Sequence, residues 1–423
     1  MQIKHDAFLK AMIIIILLLN TLVLFVQTTG SEALHLGIIR AYICLFIVLY
    51  FISSRFLPMV INNYIIFFLV YLFVLAYLSD NPIYSLRMYM RVFITLLMLP
   101  VGYVFVNSME KYRFINVYYI YILASIVLYI IFSNIFDYGV STYLEDSFYT
   151  GATNVNIVKD MIILMAAIPI YYSLFLVSKK TVLLNNKMLV ILSIATLIIV
   201  IIGMKRGALL ALFAGLIYYF IFAPNKTRNT KYFLVVLVLL FITAPIYSPV
   251  LIQRYEHRQE LIGRVTNIQE TAEIRVDRLG EFLTTAELTL KSGVLTALFG
   301  QNLFDHVGVI PGFSSNRSLH VDYSVYLYGS GLIGLFLYIY MHVLIFFEKK
   351  KYYPFLKHDK KAREISMIIT IVIITSMILS ISGGWGNITL RTFIMLYIGA
   401  SLGALRTLSK KKYLDYENSK QAL

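Results

Sequence analysis

Runs of about 18 or more apolar residues recur along the whole chain, and no other feature restricts its folding so strongly. Each run is long enough to cross a bilayer as a helix. A backbone in lipid must satisfy its N–H and C=O groups internally, so only helices and closed barrels qualify. The alternating pattern of barrel strands is absent. The reading is an all-α polytopic membrane protein. Composition agrees: 59% of the 423 residues are hydrophobic, more than a soluble core of this length needs.

Twelve spans are expected, roughly at 8–27, 34–53, 59–78, 86–106, 114–136, 157–177, 188–203, 207–223, 232–252, 322–347, 365–383 and 388–406. No internal repeat or low-complexity linker divides them, so residues 1–423 read as one integral membrane domain. Connections are short except residues 253–320, between spans nine and ten, which contain helical stretches. Lys4 and Lys10 precede the first apolar run, which lacks a small-residue cleavage site; it is read as an uncleaved helix. The single Cys44 excludes an intramolecular disulfide and a thiolate metal cluster.

Charge gives the topology, because basic residues collect in cytoplasmic connections. With the N-terminus inside, the inner segments hold 23 of the 37 Lys and Arg and only seven acids. Both termini are then cytoplasmic and the long loop is external. That loop carries seven basic residues, but long loops translocate largely regardless of charge. The net charge of +15 therefore calls for no nucleic acid.

Seven basic residues are left over: Arg40, Arg87, Arg91, Lys159, Lys205, Arg206 and Arg391. All fall at or near outer ends of predicted spans. Each alone can be read as snorkelling to lipid phosphates or pairing with a neighbour such as Asp160. As a set they describe a cationic bowl on the outer face, able to hold a phosphorylated ligand.

Arg87 and Arg91 in "YSLRMYMRV" are four apart and share a helix face. Two guanidiniums so placed can grip a diphosphate through forked, charge-assisted hydrogen bonds. The competing reading pairs them with Asp80 or with acids of the long loop. Lys205 and Arg206 in "IIGMKRGALLALFAG" occupy a very short connection held at the membrane surface. Gly207, Ala208 and Ala211 behind them allow close helix packing. In the loop, "RVDRLGEFLTTAELTLKS" reads as a helix with Leu279, Phe282, Leu283, Ala286 and Leu290 as its apolar stripe. Arg275 and Arg278 stand near its start. The stripe is expected to seat this helix over a cavity at the bilayer surface; a structural lid or partner-binding helix is the plainer alternative.

His320 closes the loop, and Asp322 and Tyr323 open the tenth span. Imidazole suits proton transfer near neutrality, although a lone histidine at a helix entrance is more often structural. Gly329, Gly331 and Gly334 follow and predict close packing or a bend. A Walker-type phosphate loop, a clustered His/Cys metal site and a G-x-S-x-G elbow are absent. No D-x-D stands on the outer side. A transferase working there would need its donor carried by lipid.

The order "MKRGALLALFAG", "IRVDRLGEFLTTAEL", "LFGQNLF" and "SLHVDYSVYLYGSGLIGLFLYIY" resembles the O-antigen ligase/polymerase superfamily, over roughly residues 200–345. It is most similar to the Wzy-type polysaccharide repeat-unit polymerases. Where that family often has His-Asn, this chain has "HVD". The resemblance implies a GT-C-like fold with about a dozen helices and a long external loop late in the chain. It implies metal-independent, inverting transfer of glycan from undecaprenyl diphosphate, in a bacterial cytoplasmic (inner) membrane and without cofactor. The product would be O-antigen, capsule or exopolysaccharide.

By position, Arg206 and His320 take the catalytic roles. Arg87, Arg91, Lys205 and one of Arg275 and Arg278 would hold the diphosphate, with Asp322 and Tyr323 supporting the acceptor side. Implied partners are undecaprenyl-diphosphate-linked oligosaccharides, membrane lipids, a chain-length regulator and a flippase. An O-antigen ligase, which moves the glycan to lipid A core, is the close alternative. A transporter of the lipid-linked unit is the alternative of another class. It would predict pseudo-repeats and midplane charges, and neither is seen.

Overall fold

A computed structural model describes residues 31–54, 60–105, 206–222, 278–306, 319–356, 359–382 and 388–421, with isolated positions elsewhere. Among the described residues there are nine helices and no strands. They are α1 (Ser31–Ser54), α2 (Val60–Tyr77), α3 (Pro82–Phe105), α4 (Arg206–Phe222), α5 (Arg278–Lys291), α6 (Val294–Phe299), α7 (Asp322–Leu356), α8 (Lys360–Ser382) and α9 (Ile388–Gln421). Two stretches, Pro82–Tyr103 in α3 and Asp322–Tyr352 in α7, are long and apolar enough to cross a membrane. Shorter apolar stretches lie in α1, α2 and α8. The expected spans at 8–27, 114–136, 157–177, 188–203 and 232–252 fall outside the described residues, isolated positions apart.

Side-chain pairs give the helix directions. Thr95 and Thr392 hydroxyls stand 3.4 Å apart, and Gly399 and Gly403 back onto the carbonyls of Leu99 and Tyr103. α3 and α9 are therefore parallel. Arg391 and Asp322 join the starts of α9 and α7, and the Tyr103 and Tyr352 hydroxyls, 3.0 Å apart, join the far ends of α3 and α7. α2 runs the other way along α7, with the Tyr64 and Tyr71 hydroxyls donating to the carbonyls of Leu337 and Ser330. α8 is likewise antiparallel to the part of α7 after Gly331, where Tyr338 reaches Ser380 and Lys349 reaches Thr370; the part before it folds back, stacking Tyr326 on Tyr338 at 4.3 Å and bringing Tyr323 to Met377. α3, α9 and the later part of α7 thus share one direction, and α2 and α8 run the other way.

The α3–α9 contact is made by backbone. A Cβ on Gly399 would stand 2.0 Å from the Leu99 oxygen, one on Gly403 2.4 Å from the Tyr103 oxygen, and one on Gly102 2.1 Å from the Leu396 oxygen. Gly399 and Gly403 have the small-xxx-small spacing that lets helices approach closely in lipid.

α7 is broken. Gly331 has φ 64 and ψ −168, so Asp322–Ser330 forms one helical piece and a second begins at Leu332. Helix breaks in membrane proteins need partners for the freed backbone groups. Gln301 N–H donates to the Tyr328 carbonyl at 2.8 Å, and Tyr71 Oη donates to the Ser330 carbonyl at 2.8 Å. A Cβ on Gly331 would lie 2.3 Å from the Leu298 carbonyl, and one on Gly300 2.4 Å from Ser330 N. Only glycines let α6 reach the break. At its other end α7 continues as helix to Leu356, past the expected boundary at 347, and α9 runs on to Gln421. The Lys- and Glu-containing segments there are good helix formers and need not end with the apolar run.

Gly399→Val is expected to force α3 and α9 apart, with overpacking worth about 1–3 kcal/mol. The unfolding midpoint of the purified chain in detergent should fall, with the helical circular-dichroism signal retained below the transition.

Candidate functional site

The predicted loop helix forms, but polar residues take its most buried positions. Glu281, Thr285 and Thr289 are the buried residues of α5, whereas Leu279, Leu283 and Leu290 are exposed. The stripe expected to seat the helix is divided: its three leucines point outward, while Phe282 and Ala286 are half-buried. The inward hydroxyls are satisfied within the helix, Thr285 donating to the Glu281 carbonyl and Thr289 to the Thr285 carbonyl. Their methyl groups are then free to pack.

Glu281 is the residue the sequence reading missed. Its carboxylate is buried, and Oε1 accepts the main-chain N–H groups of both His320 and Val321 at 2.7 Å. The two amides stand just ahead of α7, where helix N–H groups lack intrahelical partners and a negative charge is favoured. Oε2 accepts from Arg278 Nη1 at 3.4 Å. One carboxylate thus joins the loop helix, an arginine and the main chain of His320. The signal was an acid on the polar face of an otherwise apolar helix. Its partner lies 39 residues downstream, so spacing could not find it.

His306 supports the same segment. Its Nδ1 accepts Leu319 N–H at 3.0 Å, which leaves the proton of the neutral ring on Nε2. Burial, with the nearby His320 adding to it, pushes the imidazole down to about 4. Asn302 braces the loop from the other side: its amide donates to Asp80 Oδ2 at 2.6 Å, and its Oδ1 accepts Asp80 N–H at 3.1 Å. Asp80, a candidate partner for the arginines of α3, is engaged by Asn302.

Asp322 and Arg391 form a buried ion pair. Arg391 also donates to the Ser376 carbonyl and hydroxyl and to the Ser380 hydroxyl. This corrects the cationic bowl: Arg391 is inside the bundle, with an acid 69 residues away neutralising it. Tyr323 donates to the Met377 carbonyl at 2.8 Å and braces α7 against α8.

Arg87 is exposed and Arg91 half-buried, on the turns of α3 just before Thr95. They lie at the end of the bundle where Asp322 and Arg391 meet. Arg278 is half-exposed at the start of α5. Arg206 opens α4, which packs on α8; its side chain, like Lys205 and Arg275, lies outside the described residues. The structure therefore brings together His320, Asp322, Tyr323, Arg278, Glu281, His306 and Arg391 through direct contacts or shared partners. It puts Arg87 and Arg91 at the same end. Among the described residues no three His, Cys, Asp or Glu side chains gather as metal ligands. Such an end can offer an imidazole on a fixed main chain, with Arg278 on the same Glu281 carboxylate.

The chain matches no family model and no curated protein.

Two outcomes follow from this geometry. Arg391→Leu strands the Asp322 carboxylate inside the bundle and is expected to destabilise the fold by about 3–5 kcal/mol. Asp322→Asn combined with Arg391→Gln should recover part of that loss, read from detergent unfolding midpoints. The second concerns pH. With His306 held at about 4 against an ordinary value of 6.5, the unfolded chain takes up a proton that the folded chain refuses. Stability should fall as pH drops from 6.5 towards about 4, and His306→Gln should flatten that slope.

Proposed function

We propose that this chain polymerises lipid-linked oligosaccharide repeat units on the outer face of a bacterial cytoplasmic membrane. The product is O-antigen, capsular or exopolysaccharide. The full bundle on this reading is a GT-C-like arrangement of twelve spans, with both termini cytoplasmic. The carrying observation is the main chain of His320, fixed by Glu281 at the bundle end that also holds Arg87 and Arg91. Proton transfer needs a positioned base, and a diphosphate leaving group needs fixed cations.

The donor is a glycan chain on undecaprenyl diphosphate; the acceptor is a sugar hydroxyl of another lipid-linked unit. His320 takes the hydroxyl proton as the oxygen attacks the anomeric carbon from the face opposite the diphosphate. A new C–O bond forms, the bond from the anomeric carbon to the diphosphate oxygen breaks, and configuration inverts. Undecaprenyl diphosphate leaves with the bonding electron pair. Arg206, Arg87, Arg91, Lys205 and Arg278 or Arg275 stabilise the charge that develops on it. The donor is already activated, so the reaction draws on no nucleotide or metal cofactor.

The test uses purified protein with lipid-linked repeat units, without nucleotide or divalent metal. Polymer ladders are expected. His320→Ala and Arg206→Ala, checked for folding, should each slow chain growth on the order of 100-fold or more. Ladders that persist in both variants would remove those residues from the site. Transfer of the whole glycan to lipid A core without chain growth would instead make the protein a ligase.

A further inference from the structure

The outward leucines of α5 need an explanation that the site does not supply. Leu279, Leu283 and Leu290 are each more than half exposed, and Val294 and Leu295 of α6 are about three-quarters exposed. A helix standing in water turns such residues inward and its polar stripe outward. Here the polar stripe of Glu281, Thr285 and Thr289 packs on the protein. The Glu287–Lys291 ion pair lies roughly 80° around the helix from the exposed leucines, counting 3.6 residues per turn. Three sectors result: a buried polar one, an apolar outward one and a charged one beside it. A helix lying in a membrane interface has an apolar face towards acyl chains and a charged face towards headgroups.

The position of α6 decides what covers the apolar sector. Its C-terminal Gly300 touches the backbone of Gly329–Gly331. Gly331 stands at the turn between the two pieces of α7, and Tyr71, which meets the neighbouring Ser330 carbonyl, lies roughly 9 Å along α2 from its end, within the apolar stretch Ile61–Tyr77. Leu332 and Phe336, next on α7, are 43% and 62% exposed. Leu78 and Ile83, flanking the Asp80 that clasps Asn302, are 70% and 83% exposed. The apolar surface of α5 and α6 is thus continuous with that of the spans beside it.

We propose that the outward face of α5 and α6 is immersed among the acyl chains of the adjoining membrane leaflet. The loop dips into the bilayer along α7 and does not stand above it as an aqueous cap. The occupant is lipid, identified by apolar chains met at the depth of a membrane span, with headgroups beside the Glu287–Lys291 pair.

The test uses the full chain in phosphatidylcholine vesicles. The sole tryptophan, Trp385, is changed to Phe, and Leu283→Trp, Leu295→Trp or Leu332→Trp is added, the last as the span reference. Blue-shifted emission is expected for the two loop positions. Their quenching by lipid brominated on its acyl chains should match that of the reference, with weak quenching by aqueous acrylamide. Cys44→Ala with Leu283→Cys carrying a nitroxide label repeats the measurement without an introduced indole. That label should collide more with oxygen than with a water-soluble nickel chelate. Quenching by acrylamide and not by brominated lipid would overturn the proposal in favour of water. Protection from both would overturn it in favour of a protein cover, from a second copy or another segment of the chain.

Discussion

The break of α7 at Gly331 is the constraint around which the described part of the molecule is arranged. An interrupted helix exposes carbonyls, and lipid offers no donor to meet them. Gln301 and Tyr71 supply those donors. One comes from the loop and the other from α2, so the break can exist only if both are docked. Gly300 and Gly331 then make the approach sterically possible. Loop, break and neighbouring helix form a single cooperative unit.

A second constraint is electrostatic. The short first piece of α7 begins with Asp322, a charge that burial would make costly. Arg391 neutralises it and ties α9 to the same point, and α9 is packed backbone-to-backbone on α3. The amides before that piece meet Glu281. One end of the bundle therefore holds two buried carboxylates, each with an arginine. His320, which precedes Asp322 by two residues, has little freedom left in its main chain.

The helical class was readable because long apolar runs report it without any need for partners. The bend at the glycines was readable in kind, since three glycines in six residues cannot all favour a straight helix. The donors that permit it were not: Tyr71 is 259 residues from Ser330. The Gly399-x-x-x-Gly403 spacing could have announced the α3–α9 contact and went unused. Arg391 was misread because its acid belongs to another helix. The loop helix was misread for a different reason. Leu279, Leu283 and Leu290 of its apolar stripe face outward while Phe282 and Ala286 are half-buried, and the inward assignment of the whole stripe assumed water on the other side. Sequence gives the polarity of a helix face, not the medium it meets.

A loop helix whose apolar face looks outward alters what closure over a site can mean. Glu281 joins the inward face of α5 to the main chain of His320, and its other oxygen meets Arg278. A tilt of α5 in the leaflet would move that carboxylate and disturb both contacts together. On the proposed reading the substrate also arrives through the bilayer, on a lipid whose diphosphate rides at headgroup level. A cation at the start of a leaflet-bound helix is placed to meet that diphosphate without drawing the lipid from the membrane. Competition between diphosphate and Glu281 for Arg278 would then alter the interaction with the carboxylate that holds the His320 main chain. On that reading, donor arrival and the setting of the base would be linked through one buried acid.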